Sequence, residues 1–332
     1  MDRPRWKSAV KPTIKLILTA LILVAVARHV LATRRQLQDQ GRSIQIDAGW
    51  IAAGVVLYLA GLCACGLFYA RVLKSSPTPV SKRAAVRAYL ISHLGKYVPG
   101  KAMVVLMRVA LVTPYGARPA TAAFATLYET LAMMASGGLV AAFGFVVGHG
   151  GLVPIPLPKG LGLGAEIDLP LALLGLGLGL MFLILIAPPV FPKLAALIRL
   201  PLPTVGADAP PRITGRLLIE GLGYSAVGWI LMGLSQAAVL RALSVPGVGV
   251  GQWPAVIASV ALATVAGFVV PISPGGLGVR EWVLWTSLAS TINQEIAVVA
   301  ALALRLTWVI GEVLAAAVLS VLRPPLPSPS SP

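Results

Sequence analysis

The sequence contains few charged residues. They make up 11% of its 332 residues, against roughly 25% in an ordinary soluble domain. Nucleic-acid-binding proteins carry their basic residues on a polar surface, so this composition argues against that class and we expect no nucleic-acid partner. A disordered chain is excluded as well, because 57% of the residues are hydrophobic. The composition predicts an all-α protein that crosses a membrane several times.

Cysteine and histidine are also scarce. The two cysteines, Cys63 and Cys65, lie in one apolar stretch, where they provide neither a disulfide framework nor a C-x-x-C redox site. The three histidines, His29, His93 and His149, are far apart in the chain. We therefore expect no metal site and no cofactor.

Six segments are long and apolar enough to cross a bilayer, which takes about 20 helical residues. They are approximately residues 13–32, 48–70, 120–148, 169–187, 217–240 and 296–322. The first is interpreted as a retained anchor, because its apolar run leads into Arg28 and His29 without the small-residue pattern of a cleavage site. The Pro- and Ser-rich residues 324–332 are expected to form a disordered tail.

Two further apolar regions, residues 86–112 and 254–290, are interrupted by YVPG at 97–100 and by PISPGG at 271–276. Proline and glycine break helices, and the apolar pieces of about nine to fifteen residues on either side are too short to span alone. Broken backbone at membrane depth is tolerated only where protein or a water-filled cavity supplies hydrogen-bond partners. The two breaks therefore predict an internal cavity.

Basic residues indicate the orientation of the chain. Lysine and arginine number 27 against 11 acidic residues, a formal net charge of +16. Many of them lie before the first span and in the connections at residues 71–87 and 193–216. Short cytoplasmic loops are rich in lysine and arginine, so this distribution predicts a cytoplasmic N-terminus.

In this orientation each broken region can be a re-entrant hairpin, the first entering from the cytoplasm and the second from outside. Residues 1–323 would form one transmembrane domain, and its halves, residues 1–148 and 169–323, would each run span, span, hairpin, span in opposite orientations. Such inverted repeats are typical of secondary transporters, whose paired Gly/Pro-interrupted segments mark the substrate site. The alternative is that each half-helix crosses fully, which gives eight or more spans.

Several charges lie within the apolar segments, where each costs roughly 2.5–3.5 kcal/mol on insertion scales. They are Lys96, Lys101, Arg108, Glu129, Arg280, Glu281, Arg305 and Glu312. One interpretation is that these charges pair with each other, for example Arg305 with Glu129, and only fix helix packing. The other is that the cations, which outnumber the acids, line a site for a phosphate-bearing group. Glu281 could instead cap the helix that it begins.

No hydrolase motif is complete in the sequence. H-E-x-x-H, G-x-S-x-G and a paired-aspartate motif are absent. The stretch from Lys101 to Arg108 matches the K-x6-R opening of membrane lipid phosphatases, but the remaining parts of that motif do not follow. We expect that the protein is not an enzyme.

Two stretches resemble the signatures of the flippase-like membrane domain family, which includes the transmembrane region of lysylphosphatidylglycerol synthases. They are GKYVPGK at residues 95–101 and PISPGGLGVRE at residues 271–281. Arg305 and the following Gly311 resemble the family's final span, and Glu129 lies where many members carry Glu-Arg. The resemblance implies a bacterial inner-membrane protein that translocates a lipid with a charged headgroup. Because no soluble aminoacyl-transfer domain fits in this sequence, we expect that the chain does not aminoacylate lipids itself.

The expected partner is an anionic phospholipid or a lipid-linked sugar phosphate, in addition to the bilayer itself. The residues expected to bind it are Lys96, Tyr97, Pro99, Lys101, Arg108, Glu129, Ser273, Arg280, Glu281, Arg305 and Glu312. One alternative is a transporter or channel for a small soluble anion. Another is a scaffold for envelope assembly that transports nothing, which complete pairing of the buried charges without a pathway would favour.

Overall fold

The computed structural model describes residues 46–74, 80–97, 102–149, 154–155, 169–197, 213–270 and 278–325. Its α-helices are α1 (Ala48–Leu73), α2 (Lys82–Ser92), α3 (Ala102–Val112), α4 (Pro119–His149), α5 (Leu171–Ile186), α6 (Phe191–Leu197), α7 (Gly215–Ala242), α8 (Trp253–Val269), α9 (Val279–Leu288) and α10 (Gln294–Val321). Short 3₁₀ turns lie at His93–Tyr97, Thr113–Tyr115 and Val250–Gln252, and strands β1 (Pro154–Ile155) and β2 (Leu169–Pro170) pair antiparallel. The predicted all-α architecture is confirmed.

Five helices in the described part of the chain are long and apolar enough to cross a membrane, namely 48–73, 119–148, 215–242, 250–269 and 294–321. Helices α5 and α6 form a sixth candidate, bent by 77° at the break between them. The protein is therefore a multi-pass membrane protein, and the predicted spans at 48–70, 120–148, 217–240 and 296–322 each coincide with one of these helices. The predicted span at 169–187 corresponds to α5, which reaches that length only together with the bent α6. The predicted span at 13–32 and residues 326–332 of the tail lie outside the described residues.

Polar side chains fix where several helices begin. Asp47 accepts hydrogen bonds from the backbone of Gly49 and Trp50 at the start of α1. Thr214 does the same at the start of α7, and Asn293 at the start of α10. Each of these side chains satisfies an N–H group that has no partner within its own helix.

The two helices of the first broken region are both short, and the prediction that the region re-enters the membrane stays a prediction. Helices α2 and α3 have 11 residues each, so each is only about 16 Å long and cannot cross alone. From the middle of α2, Arg87 Nε donates to the carbonyl of Leu319 at 2.7 Å, and just beyond α3 the Tyr115 hydroxyl donates to that of Pro324 at 3.3 Å. Both residues therefore lie beside the C-terminal end of α10, at one face of the protein.

The second broken region returns to the opposite face. Helix α8 begins beside the end of α4, where a Cβ added to Gly148 would lie 2.8 Å from the backbone nitrogen of Ala255. The region ends at the start of α10, opposite the end that contacts the first hairpin. Its two limbs are unequal: α8 has 17 residues and α9 has 10, against the predicted fifteen or so each. With the turn that precedes it, α8 is long enough to count as a candidate span.

The element order of each half agrees with the predicted one as far as the structure describes it. Helices α1, α2–α3 and α4 are followed by α5, α7, α8–α9 and α10. The inverted relation between residues 1–148 and 169–323 stays a prediction.

Glycines bring α4 and α5 into backbone contact. A Cβ added to Gly138 of α4 would lie 2.4 Å from the nitrogen of Gly179, and one added to Gly179 would lie 2.9 Å from the nitrogen of Leu139. Gly177, on the same helix as Gly179, has nothing within 4 Å of its added Cβ. Small residues of this kind allow membrane helices to approach closely.

We predict that Gly138→Ala destabilises the protein by about 1–3 kcal/mol, because the new methyl group would collide with the backbone of α5. Gly177→Ala is the control, and its effect should be neutral or stabilising by up to about 1 kcal/mol, since alanine favours helix. The apparent melting temperature of each variant in detergent checks this. Equal melting temperatures would show that the two helices are not in contact.

Candidate functional site

A cavity of about 380 Å³ lies between the two hairpins and the helices around them. Both broken regions contribute to its lining, as the sequence predicted. Charged side chains and aromatic side chains with a polar atom line part of it, and we call them the polar wall: Tyr58, Tyr89, His93, Lys96, Arg108, Glu129, Arg280 and Trp308. Apolar side chains line the rest, and we call the following set the apolar wall: Leu131, Leu185, Phe191, Leu194, Ala195 and Phe268.

The apolar wall depends on the bend between α5 and α6. Pro188 and Pro189 follow α5 after one residue, Ala187, and proline cannot continue a helix because it lacks the N–H group. The chain therefore turns by 77° into α6. Phe191 at the start of α6 packs edge-on against Phe124 and Tyr128 of α4, with ring centroids 5.0 Å apart in each pair. This packing holds α6 against the cavity.

Arg108 and Glu129 form a buried ion pair between α3 and α4. Arg108 Nη1 donates to Glu129 Oε2 at 2.9 Å, and the two side chains are 2% and 1% exposed. Ser92 Oγ accepts from Arg108 Nε at 3.0 Å, and the Tyr89 hydroxyl donates to Glu129 Oε1 at 2.9 Å. The guanidinium also lies 4.1 Å from the ring centroid of Tyr89. A buried pair needs such additional partners to offset the loss of hydration.

Lys96 and Glu312 form a second pair, which joins the first hairpin to α10. The Glu312 side chain is buried, and its Oε1 accepts from Lys96 Nζ and from the Tyr58 hydroxyl. Lys96 Nζ also donates to the Tyr58 oxygen at 3.3 Å. His93 Nε2 lies 3.9 Å from the same carboxylate oxygen. Four polar side chains therefore converge at this point of the polar wall.

Arg305 and Glu281 form a third pair, between α10 and α9. The second oxygen of Glu281 accepts from the backbone N–H of Gly278 at 2.7 Å, so the expected capping role is confirmed. Gly278 has φ 87°, in the left-handed region that favours glycine. Glu281 thus fixes the start of α9 and holds it against the final span.

The three ion pairs show which buried acidic residue binds which buried basic residue, which the sequence alone left open. The expected pair of Arg305 with Glu129 is wrong, because Glu129 binds Arg108 and Arg305 binds Glu281. In each half, the helix after the break forms an ion pair with the span that follows it. In the first half the short helix α3 carries the cation and the span α4 the acid. In the second half the short helix α9 carries the acid and the span α10 the cation. Pairing of these charges is therefore part of the helix packing.

Arg280 has no carboxylate within ion-pair distance among the described residues. Its guanidinium carbon instead lies 4.4 Å from the ring centroid of Trp308. Trp308 is held by a stack on Tyr58, with ring centroids 4.2 Å apart, and by a hydrogen bond of 3.1 Å from its Nε1 to Ser235 Oγ. A rigid aromatic surface thus positions this cation at the cavity.

The structure brings most of the expected binding residues together. Lys96, Arg108, Glu129 and Arg280 line the cavity, and Glu312 contacts Lys96. Tyr97 ends the turn that carries Lys96 and interacts with Glu312. Glu281 and Arg305 bind each other next to Arg280, outside the lining. Pro99, Lys101 and Ser273 lie outside the described residues.

Four residues of the polar wall were not expected from the sequence, namely Tyr58, Tyr89, His93 and Trp308. Three of them are aromatic residues with a polar tip, which usually finds a hydrogen-bond partner when buried. His93 lies three residues before Lys96. This short distance in the chain could have been used to predict that His93 lies at the site. No group of three or more His, Cys, Asp or Glu that could hold a metal occurs within the described ranges.

Comparison with known families gives one match. The family model described as the lysylphosphatidylglycerol synthase TM region matches residues 13–316. The matched range contains every residue of both walls. A comparison with curated protein sequences gave no match.

We predict that Glu129→Gln lowers the free energy of unfolding by about 3–5 kcal/mol, because it leaves Arg108 buried without its counterion. The matched control is Glu220→Gln, which breaks the more exposed Arg71–Glu220 pair between α1 and α7. That control should change stability little, because water screens and solvates exposed charges. Unfolding of both variants in a denaturing detergent gradient checks the difference. Equal losses would contradict the structural role of the buried pair.

Proposed function

The chain belongs to the lysylphosphatidylglycerol synthase transmembrane-region family, and on that premise we propose that it moves an anionic lipid between the leaflets of the membrane. The lipid would be a phospholipid or a lipid-linked sugar phosphate. Its headgroup would bind at the polar wall and part of an acyl chain would lie against the apolar wall. The proposal assigns transport to the protein and no catalysis.

Arg280 is the observation that carries the proposal. It is a cation at a mostly apolar cavity, and no described carboxylate lies within ion-pair distance of it, although Glu281 next to it in the chain is attracted to it. Lys96 and Arg305 lie close enough to add to the positive potential around it. A charge in such surroundings is stabilised by an opposite charge, so a phosphate group fits this position. The paired cations, Arg108 and Arg305, would hold the framework in place.

The apolar wall favours a lipid over a small soluble anion. A cavity of about 380 Å³ is within the usual size range of ligand pockets. A hydrated anion gains nothing from Leu185, Phe191, Leu194 or Phe268, whereas an acyl chain is stabilised by contact with such side chains. The cavity also argues against the scaffold alternative, which expected pairing of every buried charge and no pathway.

We place the protein in a bacterial inner membrane with its N-terminus in the cytoplasm. The face where α1 and α2 meet carries Arg71, Lys74, Lys82 and Arg83. Arg216 at the start of α7 belongs to the same face, because it shares Glu220 with Arg71. Basic residues collect on the cytoplasmic side, where they also attract anionic lipid headgroups.

We predict that Arg280→Gln slows lipid movement roughly tenfold to a hundredfold, the effect of losing a charge-assisted contact of about 1.5–3 kcal/mol. The matched control is Arg241→Gln, since Arg241 lies over the Trp50 ring at 5.3 Å but does not line the cavity. Movement of fluorescent phosphatidylglycerol between leaflets of proteoliposomes is the measurement. An Arg280→Gln variant that moves lipid like the wild type, or a wild type that moves none, would refute the proposal.

A second prediction concerns the apolar wall. Ala195→Trp should fill the space against which the acyl chain lies and abolish most lipid binding and movement. Ala196→Trp is the control, because Ala196 lies on the same helix but is exposed and does not line the cavity. The proteoliposome assay and a melting curve check both variants. If Ala195→Trp moved lipid normally, the acyl chain would lie elsewhere.

A further inference from the structure

The Lys96–Glu312 pair has a feature that the other two pairs lack. Lys96 lines the cavity, so its ammonium group can reach a ligand there, while its carboxylate partner lies behind it and is buried. Lys96 and Tyr58 both donate hydrogen bonds to the same oxygen of Glu312, Oε1. The other oxygen, Oε2, is buried and accepts no hydrogen bond from the described residues.

The charged and titratable groups around Glu312 come from four elements. Helix α1 supplies Tyr58, and the turn between α2 and α3 supplies His93, Lys96 and Tyr97. Helix α9 places Arg280 near Tyr58 and Lys96, and α10 itself carries Arg305. Among these described groups, Lys96 is the cation whose side-chain nitrogen lies within hydrogen-bond distance of Glu312. His93, at 3.9 Å, would form an ion pair with that carboxylate only when protonated.

Binding of an anion changes this balance. A phosphate that enters the cavity competes with Glu312 for Lys96, because both are anions and Lys96 lies between them. Once Lys96 turns to the phosphate, the carboxylate would remain buried without a cation. An unpaired buried carboxylate is far less stable than the neutral acid.

We propose that Glu312 takes up one proton when the anionic headgroup binds, so that lipid and proton occupy the site together. The carboxylate and one proton from water form the carboxylic acid, while Lys96 keeps its proton and pairs with the phosphate. One negative and one positive charge are added, and the net charge of the site does not change. This inference rests on the proposed function and adds that a proton accompanies the lipid.

Affinity measured against pH tests the proposal. The probe is dioctanoyl phosphatidylglycerol, whose phosphodiester keeps one charge between about pH 6 and pH 8, unlike a phosphomonoester with its second pKa near 6. It is added to the full chain in nanodiscs of zwitterionic lipid. If one proton is bound with each lipid, Kd rises up to about tenfold for each pH unit. The soluble headgroup, glycerophosphoglycerol, serves as a second probe to separate lipid from free phosphodiester.

Variants assign the proton to a residue. Glu312→Gln resembles the protonated acid in shape and charge, so its Kd should be independent of pH and equal to the wild-type value at low pH. Glu220→Gln, on an exposed pair, should keep the wild-type dependence. If His93→Gln abolishes the dependence and Glu312→Gln does not, the assignment to Glu312 is overturned.

A measurement on the wild type alone keeps the test independent of variant folding. Calorimetry in buffers of different ionisation enthalpy counts the protons taken up, and about one per lipid is expected. Binding of lipid with no proton uptake refutes this inference and leaves the proposed function in place. Failure of the wild type to bind either probe at any pH refutes the proposed function and this inference with it.

Discussion

Ion pairs between broken helices and full spans hold this fold together inside the membrane. A short half-helix cannot anchor itself across the bilayer, and its free backbone ends must be satisfied by protein. Arg108 with Glu129 and Glu281 with Arg305 each fix one half-helix against the next span. Lys96 with Glu312 joins the first hairpin to the last span. The cavity lies between the hairpins and the spans that these contacts join.

The same pairs decide which charges are available to a ligand. Arg108 and Arg305 are committed to carboxylates that also bind other groups, Tyr89 and the Gly278 backbone. Removing either cation would leave a buried carboxylate without a counterion, so the main role of these two residues is to stabilise the helix packing. Arg280 lies over the Trp308 ring, and Lys96 lines the cavity, where on our proposal a proton on Glu312 allows it to leave that carboxylate. These two cations are therefore the ones that a headgroup can engage.

Sequence reasoning reached the helices and both breaks because hydropathy, proline and glycine act locally. It could not assign partners: Glu129 lies 21 residues from Arg108, and Glu281 lies 24 from Arg305. Which charges meet depends on how distant helices pack, and composition does not specify that packing. Tyr58 and Trp308 were missed for the same reason, since an aromatic residue in a span has the same sequence signature whether it faces lipid, another helix or a cavity.

The central claim is that the cavity holds an anionic lipid through Arg280. Mass spectrometry of lipid retained by the purified protein tests this claim most directly. The wild type should retain an anionic lipid at a higher proportion than the surrounding membrane contains, and Arg280→Gln should lose that enrichment while Arg241→Gln keeps it. Retained lipid with the composition of the bulk membrane, or equal enrichment in Arg280→Gln, would contradict the account.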